Sequence, residues 1–284
     1  MIKQFNAIQK KQWSEEGCVL LKGVLEKNEA KQILYNLDAV IKKFVAEDKT
    51  HKDSHSPFGV GAFKILRAIE KTKAFDCLID HPTLFPLLLN LMGPYLQVMS
   101  TEIFIRNPNY NISEKFHTDA GPSMQRILPN ETTPPLQFKV QFFLTDILEK
   151  DCGNFMYIPG SHRRFVSGPT EGCYIPEINC YLNEDKYPPE TVQLIAEAGD
   201  VLIFPWALWH GVSKNTSNQV RRSITFRYGQ LWCRPHDYIS LKQDILERLT
   251  PRQRRLFGDL GEYAEFEPSD YYRPKDQLEL MQGS

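Results

Sequence analysis

The chain has 284 residues, of which 42% are hydrophobic, and a formal net charge of −1. That length buries a large core without disulfide support, and so slight a charge excludes a protein that grips nucleic acid or another polyanion through a basic excess. No apolar run approaches the roughly 18 residues of a membrane span, and the opening MIKQFNAIQKKQW has no apolar leader segment, which together predict a cytoplasmic protein without a membrane partner.

The six cysteines (Cys18, Cys77, Cys152, Cys173, Cys180 and Cys233) form no C-x-x-C pair and no metal-ribbon spacing, so they read as reduced thiols. The short basic runs RRSITFR and PRQRRL are mixed with apolar residues, and each reads as a solvated face or a single anion contact.

In chain order, CVLLKGVL reads as a short apolar strand. The helix that follows carries Ile33, Leu34, Leu37, Val40, Ile41, Phe44 and Val45 on one stripe. The polar stretch EDKTHKDSHSPFGVG is a loop, and HPTLFPLLLNLM a second helix that stops at Gly93-Pro94. From about Val98 the texture changes to short β-prone runs: VMSTEIFIR, KFHTD, LQFKVQFFLTDI, NFMYIPG, TVQLI, DVLIFP and RRSITFRYG. Many short strands with turn signals between them predict a sandwich or barrel. Residues 162–190, rich in Pro, Gly and Asn, read as an insertion between strands, and after Trp232 the pattern is helical again. No internal repeat or linker divides the chain. A single domain over 1–284 is expected, with a mainly helical flank (1–95), a β core (96–232) and a helical C-terminal flank (233–284).

Two His-x-Asp pairs stand in the sequence, His51-Asp53 and His117-Asp119. In extended backbone, residues i and i+2 share a face, so either pair has the spacing to grip one metal ion. Context separates them: His51 and Asp53 lie in the hydrophilic loop and read as solvated surface, whereas His117 and Asp119 lie among the strands. His210, after the apolar run DVLIFP, supplies a third donor. Two histidines and one carboxylate leave three positions open on an octahedral ion, the pattern of non-haem Fe(II) oxygenases. Eleven residues past His210 comes Arg221, with Ser223 on the same face by alternation. A guanidinium beside a hydroxyl is a ready carboxylate anchor. Arg222 is the rival to Arg221, one residue out of register.

The segments FHTD, FFLTDILEKDCGNFMYIPGSH, AGDVLIFPWALWHGVSKN and VRRSITFRY resemble the phytanoyl-CoA dioxygenase family of Fe(II)- and 2-oxoglutarate-dependent oxygenases, and the opening WSEEGCVLLKGVL extends the likeness over most of residues 10–232. The resemblance implies a mainly β fold with flanking helices, whose core is a double-stranded β-helix of the jelly-roll or cupin type. It implies His117, Asp119 and His210 as iron ligands, Arg221 as partner of the distal carboxylate of 2-oxoglutarate with Ser223 assisting, and O2 as the oxidant. By position it also suggests Lys64 and Phe142 beside the cosubstrate, against the plainer readings of a surface lysine and a core aromatic. His162 reads as a structural hydrogen-bonding residue.

The implied reaction is hydroxylation of an unactivated C–H, in the manner of a natural-product tailoring enzyme. Desaturation, epimerisation and cyclisation, or a primary amino-acid or lipid substrate, stay open. Halogenases of this superfamily carry Ala or Gly where Asp119 stands, so halogenation is disfavoured. The mouth is expected between the insertion and the strand TEIFIRNPNY. Its aromatics Phe104, Tyr174, Trp206, Trp209 and Trp232, with Arg106 and Met124, suit a mid-sized organic substrate with some polar groups. A monomer or homodimer is expected, and a non-catalytic binding module on the same barrel is the reading from a different class.

Overall fold

The computed structural model describes residues 4–47, 61–119, 127, 134–165, 173–259 and 281. The N-terminal part runs α1 (Ala7–Lys11), β1 (Val19–Leu21), α2 (Lys27–Glu47), β2 (Ala62–Leu66), α3 (Ala68–Lys71) and α4 (Phe85–Met92). Next come β3 (Leu96–Arg106), β4 (Gln137–Phe143), β5 (Phe155–Tyr157), α5 (Pro176–Asn183), β6 (Val192–Gln193), β7 (Val201–Pro205), β8 (His210–Val212) and β9 (Arg221–Gln230). Two short helices follow, α6 (Gln243–Arg248) and α7 (Pro251–Leu256).

Among the described residues the strands form two antiparallel sheets, a large one in the order β1-β7-β4-β9-β3-β2 and a small one in the order β6-β5-β8. The large sheet is buried on both faces, and the faces differ because side chains alternate with period two. Ile103, Val140, Phe142, Ile203, Ile224 and Phe226 join the main core with Ile33 and Leu37 of α2, Leu88 and Met92 of α4, Ile245 of α6 and Leu256 of α7. On the opposite face, toward the small sheet, a second apolar cluster holds Phe143, Phe155, Tyr157, Leu202 and Phe204. A third lies behind the small sheet, where Phe116, Met156, Ile158 and Trp209 meet Ile175, which precedes α5. This is a mainly antiparallel β fold with flanking helices, the double-stranded β-helix arrangement.

Local chemistry sets the element ends. α4 starts with a proline in its first turn, where a missing N–H loses nothing, and stops at Gly93, whose φ of 79° suits a residue without Cβ. α2 lies against the sheet on its apolar stripe, and Arg222 reaches it from β9 to pair with Asp38 at 2.7 Å.

Three segments differ from the sequence expectation. The N-terminal flank contributes β2 as well as β1, so Lys64 stands on an edge strand of the large sheet. FHTD forms no continuous strand: His117 alone bridges to His210 and to Tyr174. DVLIFP ends at Pro205, the chain turns through Trp206–Leu208, and His210 opens a separate strand in the other sheet. No helix among the described residues is long and apolar enough to cross a membrane.

Phe142 is fully buried in the main core, edge-on to Phe226 with ring centroids 6.0 Å apart, on the face turned away from the small sheet. The suggestion that it lies beside the cosubstrate is therefore corrected: register puts Phe143, not Phe142, on that side. Phe142→Ala should cost about 3–5 kcal/mol of stability, measured by urea unfolding, while metal binding by the folded protein stays unchanged.

Candidate metal and cosubstrate site

His117 and His210 are brought together by backbone pairing. Each donates its N–H to the other's carbonyl, at 2.9 and 3.0 Å, which sets the two rings 4.3 Å apart. The ring Nδ1 of His117 sits 2.9 Å from the carbonyl of Lys115, and that of His210 sits 2.8 Å from the carbonyl of Leu208. A carbonyl only accepts, so each Nδ1 carries the proton and each Nε2 is left as a lone-pair donor. The rings of Phe155 and Phe204, at 5.3 and 4.9 Å, wall in His210.

Asp119 joins them from the same side of the chain as His117. Its backbone N–H donates to the carbonyl of Trp206 at 2.9 Å. Its Oδ1 accepts from Lys139 Nζ at 2.6 Å and from Arg227 Nη2 at 2.9 Å, while Oδ2 has no hydrogen-bond partner and lies 3.7 Å from His210 Nε2. Among the described residues these three form the one group of ligating side chains that could hold a metal ion, with donor atoms all within 4.8 Å of one another. Burial by itself pushes the Asp119 carboxyl up, but Lys139 and Arg227, then the two histidines, hold it well below the usual carboxylate range. Burial, aided by His117, takes His210 down to about 3. Both shifts keep the donor set in the ligating form, carboxylate and neutral imidazole.

Arg221 opens β9 on the same inner face. It is buried, and its Nε and Nη2 have no hydrogen-bond partner. Burial, then the neighbouring Arg106, lowers its pKa to about 9, against the opposing charge of Glu114; the guanidinium is charged at neutral pH. Arg106 lies directly opposite on β3. Gly153, at φ 75°, packs over both side chains, and a Cβ there would come within 3.1 Å of Arg106 Cδ and 3.3 Å of Arg221 Cβ. Glu114 lies between the two ends of the site, with one oxygen 4.0 Å from His117 Nε2 and the other 3.9 Å from Arg106 Nη2. Further along the face, Ser223 Oγ accepts from Gln141 Nε2 at 2.9 Å, and the buried Thr225 hydroxyl has no partner. An unpartnered carboxylate oxygen at one end and an unpartnered guanidinium at the other fit a cation and an anion respectively.

The family model described as phytanoyl-CoA dioxygenase (PhyH) matches residues 13–223. This chain belongs to the phytanoyl-CoA dioxygenase family. Curated relatives include dioxygenase cdmA of Talaromyces verruculosus, 23% identical over 253 residues (86% of this chain and 80% of the relative). Dioxygenase af480 of Aspergillus fumigatus is 25% identical over 273 residues (90% and 81%). Among solved structures, the non-heme alpha-ketoglutarate-dependent carbocyclase SnoK from nogalamycin biosynthesis superposes with a TM-score of 0.63 at 22% identity, covering 87% of this chain and 92% of SnoK. HygX from Streptomyces hygroscopicus, crystallised with nickel, 2-oxoglutarate and hygromycin B, superposes with a TM-score of 0.64 at 16% identity, covering 85% and 94%.

The remaining candidates in this phytanoyl-CoA dioxygenase family member scatter. Arg222 points to the helical layer, which leaves Arg221 inward. Lys64 pairs with Glu102 at 3.3 Å, and Phe104 stands on the inner face with Lys139 Nζ 6.0 Å from its ring centre. Trp206 is buried beside Ala207 and Leu136, Tyr174 lies edge-on to His117 at 6.4 Å, and Trp232 is exposed. Trp209 turns away into the cluster behind the small sheet, so it does not line the mouth as expected. His162 is buried against Gly17, its Nε2 accepting from Arg163 Nε at 3.3 Å, and takes no part in the triad. Met124, His51 and Asp53 lie outside the described residues.

Sequence reasoning passed over Lys139, Arg227, Glu102 and Glu114. The signal for the first two was present: QFKVQFF and RRSITFRYG both alternate polar with apolar residues. That alternation, in strands whose apolar side faces the core, directs a polar row into the space between the sheets.

Three histidines with lowered pKa, His210 and His162 in the interior and His236 beside Arg227, give the metal-free protein a pH dependence. Burial lowers His210 to about 3, and burial with an adjacent arginine lowers His162 and His236 each to about 4, from an ordinary 6.5. Each folded value is below the unfolded one, so the unfolded chain binds more protons as pH falls beneath 6.5 and stability is lost in that direction. Asp237, raised to about 6 by burial, opposes this between about 6 and 3.8, and Asp76, also raised by burial, acts in the same direction, but the three histidines outnumber the two carboxyls. The thermal midpoint of the metal-free protein should fall from pH 6.5 to 4, and His162→Gln should make the fall shallower; a flat midpoint over that range would contradict the assignment.

Proposed function

We propose that this protein is an Fe(II)- and 2-oxoglutarate-dependent dioxygenase that hydroxylates an unactivated C–H of a small organic molecule. The observation that carries this reading is the pairing, on one buried face, of the His117–Asp119–His210 donor set with the unpartnered guanidinium of Arg221. His117 Nε2, His210 Nε2 and Asp119 Oδ2 would hold the iron, a set suited to a divalent ion that keeps open positions. Arg221 would take the distal carboxylate of 2-oxoglutarate, with the Ser223 and Thr225 hydroxyls along the groove between the two ends.

When bound, the iron supplies the oxidising chemistry: 2-oxoglutarate, O2 and R–H become succinate, CO2 and R–OH. The chain's own contribution is placement and exclusion of water. The carbonyls of Lys115 and Leu208 fix both imidazole tautomers, and Phe155 and Phe204 keep the His210 side dry. Asp119 occupies with a carboxylate the position that a halide would need, which favours hydroxylation over halogenation. Phe104, beside Lys139, and Tyr174, edge-on to His117, are the aromatics we assign to the substrate, and the fungal and actinobacterial relatives support a specialised metabolite as that substrate. Cyclisation, epimerisation and desaturation share the same oxidising step, so the fate of the substrate is read from the product.

The test is succinate formation from 2-oxoglutarate with Fe(II), ascorbate and a panel of natural products, with 18O2 to trace the oxygen into R–OH. His117→Ala should abolish turnover. Arg221→Met should raise the 2-oxoglutarate requirement on the order of tenfold or more, the loss expected for one charged hydrogen-bonded contact. Arg222→Met should leave that requirement unchanged. Absence of succinate from iron-loaded protein under every condition would sink the reading in favour of a binding module.

A further inference from the structure

The two oxygens of Asp119 have different surroundings. Oδ2 faces His210 with no partner, whereas Oδ1 is held by two cations at 2.6 and 2.9 Å. Those cations come from facing positions on adjacent strands: Lys139 of β4 stands directly opposite Arg227 of β9. Both are buried. Arg227 is fixed further, its Nη1 lying 3.0 Å from His236 Nδ1 and donating to the backbone carbonyl of Asp119 at 3.3 Å. Behind Lys139 stands the buried Glu102, itself paired with Lys64, and its carboxyl is drawn down by Lys139 and Lys64 against the upward push of burial. Two cations on one oxygen are more than neutralising one carboxylate requires, and the whole arrangement is anchored at both ends in sheet.

A carboxylate whose second oxygen is free can swing to chelate a metal through both oxygens, and would then take a fourth coordination position. An octahedral ion held by His117, His210 and one oxygen of Asp119 keeps about three positions open, the number needed for a two-point cosubstrate and dioxygen. We propose that Lys139 and Arg227 are positioning residues that hold Oδ1 away from the metal and so restrict Asp119 to single-oxygen ligation. This rests on the iron-site reading above and adds the element that keeps the coordination sphere open. Outer partners orient metal ligands, and here a pair of buried cations holds one carboxylate oxygen through charge-assisted hydrogen bonds.

The experiment uses the full chain loaded with Mn(II) in place of iron, with inner-sphere water counted by solvent proton relaxation. The wild type should show about three exchangeable waters. Lys139→Met/Arg227→Met should show about two, because Asp119 closes onto the ion, and the affinity of the loaded protein for 2-oxoglutarate should fall on the order of tenfold. Lys139→Arg and Arg227→Lys, which keep a cation on Oδ1, should restore the wild-type water count, a rescue that a purely structural role would not require. Lys139→Met alone, measured alongside in case the double variant does not fold, should fall between the two. A count of three in every folded variant overturns the positioning role. Mn(II) binding that is equally tight in His210→Ala overturns the site reading instead, so the two failures are distinct.

Discussion

A charge buried between two sheets needs an opposite charge, and the inner face of the large sheet is organised around that requirement. Lys64, Arg106, Lys139, Arg221 and Arg227 point into the space, together with Glu102, Glu114 and Asp119. Desolvating any one of these groups alone would cost several kcal/mol or displace its pKa by units. The pairs that form absorb most of the charge: Lys64 with Glu102, Lys139 and Arg227 with Asp119, Arg106 with Glu114. What is left over is a carboxylate oxygen at one end and the Arg221 guanidinium at the other. Five cations against three carboxylates leave the groove with an excess of positive charge, which a carboxylate-bearing cosubstrate would offset, while the free oxygen of Asp119 keeps a lone pair for a metal ion.

The two halves of the site differ in how they are built. The metal end is held by backbone: His117 and His210 are locked by a reciprocal pair of N–H to carbonyl bonds, and each ring is oriented by a carbonyl two residues before it. Such an arrangement tolerates wide change in the surrounding side chains. The arginine end is held by packing. Gly153 lets the chain pass close over Arg106 and Arg221, so the stems of two like-charged residues lie side by side with no room for a bulkier neighbour. That end depends on the exact shape of the turn between β4 and β5.

The candidate metal ligands were legible early because their types are rare and their spacing matches period two. His117 and Asp119 share a face, and His210 is the only later histidine of the strand region that precedes an arginine by a strand's length. Arg221 was favoured over Arg222 by its spacing of eleven residues from His210, and the opposite courses of the two side chains follow from alternation. Phe142 was misplaced because one residue of register separates it from Phe143, and position in the sequence does not say which of the two faces the core. Lys139 and Arg227 escaped notice because a lysine in QFKVQFF reads as an ordinary polar residue of a half-exposed strand. Only a second sheet lying over that face turns it into a buried cation.

Local sequence by itself determined most of the strands, the longer helices, the alternation that gives the large sheet an apolar and a polar face, and the candidate metal-binding donors, since each of these depends on residue type and on spacing within short segments. The tertiary structure alone decided which oxygen of Asp119 stays free, that Glu114 stands between the metal end and Arg106, and that Trp209 turns into the cluster behind the small sheet. These are contacts between segments far apart in the chain, from the helical entry to β3, β4, β8 and β9. They are set by the register of sheet pairing and by the packing of one sheet over the other, neither of which is written in any one stretch.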